Sequence, residues 1–404
     1  MIHTSYWRPR VYPYNGDIAP AQIDRLQDLS ASVTLNREKI REIGRDGTVS
    51  WRKRIPATRL SLRQFEYGDI EFWQKLANVA PSATSVVLND FKTSMIDICG
   101  YCTDDDTTFA GTVWYPKLRT SGWGISIGDP QATIERSFEL VGEDENVLQG
   151  NNQYFMYKRY VASGTGTQAF TVVPNPTIDP DGSGASAYFF RVLRVRAGVT
   201  TELVYTTNYT YVPATYVLSV ANCDTNDVIK VYYSSDDYLS GATTFTNNDT
   251  DAGGLTADSA SIYLYVAADN YVYRLQSVAV DVSFDRTDNY EIGDDEVIAR
   301  GVREKTVRVT LGRILESYTI EEVLRGKVAD YGKINTRKYG DTNTLRIKLY
   351  GNSDKTSFNI GYKFAGLSPV SFDNGVPLND YGTRNAVLEG EDATISNVVS
   401  TINA

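Results

Sequence analysis

Apolar and polar residues alternate with period two through SASVTL (30–35) and SVAVDVSF (277–284). That spacing predicts half-buried strands with Ala31, Val33 and Leu35 on one buried face, and Val278, Val280, Val282 and Phe284 on another. LRIKLY (345–350) alternates in the same way, with Leu345, Ile347 and Leu349 expected inward and Arg346, Lys348 and Tyr350 outward. Helical spacing occurs in two short stretches, DIEFWQKLA (69–77), with Asp69 as its cap, and TIEEVLRG (319–326), where Thr319 and Glu322 form a capping box and Gly326 ends the turn. Between these regions, AYFFRVLRV, ELVYTTNYTYV, YVLSVA and DVIKVYYSS follow one another at turn-like spacing, as in a small antiparallel sandwich. The pattern as a whole predicts a mainly β chain.

The strand patterns recur. RLQDLSASVTLNREKIREIG (25–44) matches RLQSVAVDVSFDRTDNYEIG (274–293) at a spacing of 249, with Arg25/Arg274, Leu26/Leu275, Gln27/Gln276, Val33/Val282 and Arg37/Arg286 among the identical pairs. The order persists: RLSLRQ (59–64) faces RVTLGR (308–313), IDICGY (96–101) faces LRIKLY, and Gly142-Glu143-Asp144 recurs as Gly390-Glu391-Asp392. Two copies of one fold therefore span about 25–148 and 274–395. The expected domains are 1–148 (copy one with an N-terminal arm), 149–265 (an inserted immunoglobulin-like β-sandwich and linker) and 266–404 (copy two).

Composition narrows the function. With 404 residues, 42% hydrophobic and 22% charged, the chain suits folded domains with their own cores. A net charge of -10 argues against a surface that grips nucleic acid, whose affinity comes from clustered Lys and Arg. No apolar run has signal-peptide or membrane-spanning length, so a soluble, cytosolic start is expected. His3 is the single histidine, which removes His-based triads and His-rich metal sites, and no enzyme is expected. Cys99 and Cys102 form a lone C-x-x-C whose counterparts in copy two are Lys348 and Gly351, so the repeated fold does not require thiols. Asp179–Gly184 opens like a calcium loop but has Phe190 where the bidentate Glu belongs, and Asp104-Asp105-Asp106 faces Ser353-Asp354-Lys355. Glu143/Asp144 and Glu391/Asp392 are adjacent on a strand and point to opposite faces, a poor arrangement for a glycosidase pair. No cofactor is expected.

Charged stretches of 14 residues begin at Arg37 and Arg286, and Glu-Ile-Gly survives in both, as Glu42 with Gly44 and as Glu291 with Gly293. Two readings stand: a solvated hairpin, or a docking loop that reaches a neighbouring subunit. The second makes Arg37, Glu42, Gly44, Arg286, Glu291 and Gly293 the candidate docking residues.

The order of strand, D/N-R-x-x-x-x-E-I-G loop, strand, helix and strand, followed by Y-P-K-L, I-G-D-P-Q-A, I-E-R and G-E-D, resembles the major tail tube proteins of tailed bacteriophages and related prokaryotic viruses. The resemblance covers both copies and implies two tandem tail-tube-type β-sandwich or barrel domains, each with one short helix. It implies a virion structural protein, assembled in the host cytoplasm, whose rings stack into the tail tube for DNA ejection. The duplication matches a minority type in which a homotrimer makes a pseudo-hexameric ring. Implied partners are the chain itself, the tape measure protein, the tail terminator, distal tail and baseplate proteins, and passing double-stranded DNA held without specific binding; no membrane is implied. Outward positions of the alternating strands, Ser32, Thr34, Asp281 and Ser283, become candidates for the lumen wall. A distal hub or baseplate protein of the same fold and a carbohydrate-binding tail adhesin are the alternatives.

Overall fold

The computed structural model describes the chain apart from residues 1–6, 36, 41–49, 54–55, 104–108, 130, 149–153, 174–175, 177–187, 236–253, 266–268, 273, 290–298, 315–320, 322–323, 325–342 and 376–381. It is mainly β. The first part runs through β1 (Trp7–Pro13), β2 (Ala21–Gln22), β3 (Leu26–Thr34), β4 (Arg37–Ile40), β5 (Ser50–Lys53) and β6 (Ala57–Phe65) to α1 (Ile70–Ala77), β7 (Ser85–Val87) and α2 (Asp90–Thr93). It closes with β8 (Ile96–Thr103), β9 (Phe109–Ile127), β10 (Glu135–Gly142) and β11 (Asn146–Leu148). The insertion supplies β12 (Tyr154–Val161), β13 (Gly166–Thr171), β14 (Arg191–Arg196), β15 (Val199–Glu202), β16 (Tyr209–Val212), β17 (Val217–Cys223) and β18 (Val228–Ser235). The last part holds β19 (Ala260–Tyr265), β20 (Asp269–Tyr271), β21 (Leu275–Asn289), β22 (Ala299–Ile314), β23 (Asn343–Tyr350), β24 (Phe358–Gly375), β25 (Thr383–Gly390), β26 (Asp392–Ser396) and α3 (Val399–Asn403).

The chain forms two compact units. One gathers Met1–Ile23, Ser94–Leu118 and Asp144–Asp249; the other gathers Asp24–Thr93, Arg119–Glu143 and Thr250–Ala404. In the first unit the insertion is a sandwich of a four-stranded sheet, β12-β18-β14-β15, on a three-stranded sheet, β13-β17-β16. Val192, Leu218, Val220, Ile229, Val231 and Tyr233 fill the space between them. The outer face of the four-stranded sheet packs against β1 and β8 through Tyr12, Tyr101, Trp114, Phe155 and Tyr232. Lys230 Nζ donates across this interface to the carbonyls of Pro13 and Tyr14 at 3.0 and 3.3 Å, and Arg191 pairs with buried Asp97. The insertion is thus fixed to β1 and β8 by an aromatic core, with its buried cations given partners, as a charge out of water requires.

The second unit stacks two antiparallel sheets. The larger has eight strands in the order β3-β6-β10-β9-β21-β22-β25-β24. The smaller runs β20-β19-β23-β24-β26-β7. Strand β24 serves both: it turns at Gly366, whose φ of 68° suits a residue without Cβ, and its Ser368–Gly375 part joins the larger sheet. Inside lie Trp73 of α1, Trp123 of β9, Phe138 of β10 and Tyr362 and Phe364 of β24, joined by ring contacts of 5.0–6.3 Å. Helix α1 forms as its sequence predicts: the Asp69 carboxylate accepts from the Glu71 N–H at 2.7 Å, and Asn78 ends it with φ of 56°. In copy two, Glu321 and Leu324 are helical, while Thr319, Glu322 and Gly326 lie outside the described residues.

Strand pairing repeats along the chain. The set β3–β6, β6–β10 and β10–β9 reappears as β21–β22, β22–β25 and β25–β24, and β1–β8–β9–β11 reappears as β19–β23–β24–β26. Even irregularities recur: bulges fall at Leu26/Asp28 and Leu275/Ser277, and left-handed residues at Arg25 and Arg274 and again at Lys117 and Gly366. Two sequence expectations change. Ala31 and Leu35 are exposed and Val33 half-buried, because nothing among the described residues lies outside β3, whereas Val278, Val280, Val282 and Phe284 are buried as expected. Arg346 and Lys348 do leave the apolar row of β23, yet both are covered, lying over the rings of Tyr265 at 4.2 Å and Tyr263 at 4.4 Å.

Candidate functional site

The second unit's larger sheet joins the two repeats through one strand pair. Strand β21 meets β9 from Val278↔Ile127 to Ser283↔Gly122. The approach is close: a Cβ on Gly122 would sit 2.8 Å from the Val282 carbonyl oxygen, and one on Gly124 2.9 Å from that of Val280. Just past the pair, Arg286 closes the joint. Its Nε donates to the Thr120 carbonyl at 2.6 Å, Nη2 to Phe91 at 2.8 Å and Nη1 to Lys92 at 3.2 Å. Its guanidinium covers the ring of Phe284, which packs on Phe91 at 6.2 Å. Five fixed donors let one arginine satisfy several carbonyls, which a lysine cannot do with the same geometry.

Of the residues expected to dock, Arg286 therefore links the repeats within one chain. Arg37, its counterpart, is exposed at the start of β4. Glu42, Gly44, Glu291 and Gly293 lie outside the described residues. The stretch after Arg37 does form a hairpin at its base, with Arg37 opposite Lys53, and the stretch after Arg286 extends the β21–β22 ladder to Asn289↔Ala299.

Ser32, Thr34, Asp281 and Ser283 are all exposed and lie on the face of the larger sheet opposite the core. One rung across that face reads Asp28, Arg63, Ser137, Gly124, Asp281, Arg308, Glu389 and Ser368. Its arginines have acidic neighbours, Arg63–Glu135 at 3.8 Å and Arg308–Glu389 at 4.0 Å. Such exposed pairs add little stability, but they cancel the field of the arginines. The face presents small hydroxyl and glycine positions with mixed, balanced charge.

Beneath it lies a buried network that the sequence did not disclose. The Arg136 guanidinium donates to both oxygens of Glu66 at 3.3 Å and to Gln64 Oε1 at 3.0 Å, and Tyr362 of the second repeat donates to the same Glu66 carboxylate. Burial works against the Arg136 charge, while the Glu66 carboxylate holds its pKa above the ordinary arginine value; burial likewise drives the Tyr362 phenol well up. In copy two, Arg313 and Arg384 take the corresponding positions and share Glu321, at 2.8 and 2.6 Å. The one signal available was an arginine at an inward position of an alternating strand. Among the described residues no cluster of His, Cys, Asp or Glu is arranged to hold a metal ion, and no helix is long and apolar enough to cross a membrane.

No protein-family model and no curated protein matches the chain. Among solved structures, a chain of the anti-feeding prophage cap, a tube-terminating cap, is similar over 36% of this chain and 91% of its own, with 12% identity and a TM-score of 0.27. A chain of the anti-feeding prophage baseplate is similar over 35% of this chain and 92% of its own, with 17% identity and a TM-score of 0.28.

Proposed function

We propose that the chain is a structural protein of a phage-type tail, and that its copies close into rings which stack as the tube for double-stranded DNA. The observation that carries this reading is the eight-stranded sheet made of two equivalent halves, with two ends, β3 and β24, that are open among the described residues. A sheet whose halves join by one repeated rule extends by the same rule to further copies, and closure removes the open edges.

Size favours three chains. With strands ~4.8 Å apart and tilted by ~40°, three chains give about 24 strands and about 48 Å between backbone walls. Two chains would give about 32 Å by the same geometry, which leaves little room beside a duplex of roughly 20 Å once side chains and hydration are added. The polar face, with Ser32, Thr34, Asp281 and Ser283, would then line the lumen. Its balanced charge suits a cargo that must slide, since an unpaired basic track would bind phosphate by counterion release at every ring. Tape measure, terminator and baseplate proteins would meet the ends of such a tube.

Mass measurement of isolated rings together with negative-stain images tests the proposal. Three chains per ring and long stacks are expected. Six chains per ring, or a monomer that persists at high concentration, would refute it, and single unstacked rings would favour a hub.

A further inference from the structure

The joint between the repeats has a second, unfilled version at the ends of the larger sheet. Strand β3 is the counterpart of β21, and the Ser368–Gly375 part of β24 is the counterpart of β9 beyond Leu118. In the filled joint Val282 and Phe284 are 3% and 4% exposed; at the β3 end Leu35 is 63% exposed. An apolar row left open on an edge strand is a surface built for a partner. We infer that the partner is β24 of a second copy of this chain, in the register of the β9–β21 pair, with Arg37 repeating the clamp of Arg286. This deepens the ring reading and rests on it.

The register follows from the two structural repeats. Shifting each partner of the β9–β21 ladder to its counterpart sets Thr34 opposite Ser371, Val33 opposite Phe372 and Ser32 opposite Asp373 of the neighbouring copy. Phe372 is half-buried and Asp373 exposed in the single chain, so both are within reach of a new strand. Phe372 then stands opposite Val33 as Trp123 stands opposite the buried Val282. Arg286 holds Thr120, whose counterpart is Pro369, so Arg37 is placed to donate to the Pro369 carbonyl of the neighbour. Ser371 and Asp373 stand where the in-chain joint has Gly122 and Gly124, so the joint between chains keeps an ordinary strand separation.

Full-length chains carrying Ser32→Cys and Asp373→Cys test the register, because directly opposed strand residues place Cα atoms within disulfide reach. Mild oxidation of assembled particles should link most chains into a ladder on non-reducing gels. The off-register pair Ser30→Cys with Asp373→Cys should give at least ten-fold less. Arg37→Ala should raise the concentration needed for assembly about ten-fold while leaving monomer unfolding unchanged, whereas Arg286→Ala should lower unfolding stability. Particles that assemble with no Ser32–Asp373 link, or that link better in the off-register pair, overturn the edge pairing and leave the ring intact. Wild-type chains that never assemble overturn the ring reading itself.

Discussion

Replacing Glu66 by Gln tests whether the core of the second unit depends on one carboxylate. Glu66 and Arg136 are each 0% exposed, and their contact spans both oxygens at 3.3 Å. A neutral amide keeps the shape and accepts from Tyr362, but it leaves a guanidinium buried without its counter-charge. Breaking one partner of such a pair costs about 3–5 kcal/mol, a large share of the ~5–15 kcal/mol that holds a typical domain. Removing both charges is different: Arg136→Met beside Glu66→Gln takes away the desolvation penalty along with the attraction. The double variant should recover at least half of the loss, with about 1 kcal/mol outstanding because Gln64 loses its donor. Urea unfolding followed by tryptophan fluorescence reads this directly, since Trp73 and Trp123 sit 5.0 Å apart in that core. A Glu66→Gln loss below about 1 kcal/mol, or a double variant less stable than the single one, would refute the reasoning.

Three further outcomes are expected. Burial pushes the Lys230 pKa from 10.5 down to about 8, so between these values the unfolded chain holds the extra proton and folding stability rises with pH, by about 3 kcal/mol across the window. Lys230→Met lacks this gain; the melting-temperature difference between the two chains should shift in favour of the natural one from pH 8 to 10.5, and a constant difference would count against a buried ammonium. Gly124→Val forces a Cβ against the Val280 carbonyl and should destabilise the second unit by about 1–3 kcal/mol in thermal unfolding, whereas Ser126→Val, at an exposed position of the same strand, should change it by less than about 0.5 kcal/mol. If the polar face lines a conduit, tubes carrying Asp281→Lys and Thr34→Lys should retain DNA at low ionic strength and release it as salt rises; normal ejection from those tubes would move these residues off the inner wall.

The alternation in SVAVDVSF, the Asp69 cap and the 249-residue duplication were all legible in the chain, because each is a local rule about which residues share a face or end a turn. The same rule set Ser32 with Thr34, and Asp281 with Ser283, on the outward side of their own strands. It could not say what covers the other. Val282 and Val33 occupy equivalent positions in matching sequence, yet one is buried with Trp123 opposite it on β9 and the other lies on an open edge. That difference depends on a strand far away in the chain. The correspondence of β1 with β19 was also invisible, since it survives as pairing with β8 and β23, and Tyr12 with Tyr263 is the one identity that this pairing aligns over Pro9–Pro13. The Arg286 clamp and the Glu66–Arg136 pair join groups that meet only when the sheets stack. Periodicity assigns faces; coverage and charge pairing depend on which distant elements pack there, so only the tertiary structure decides them.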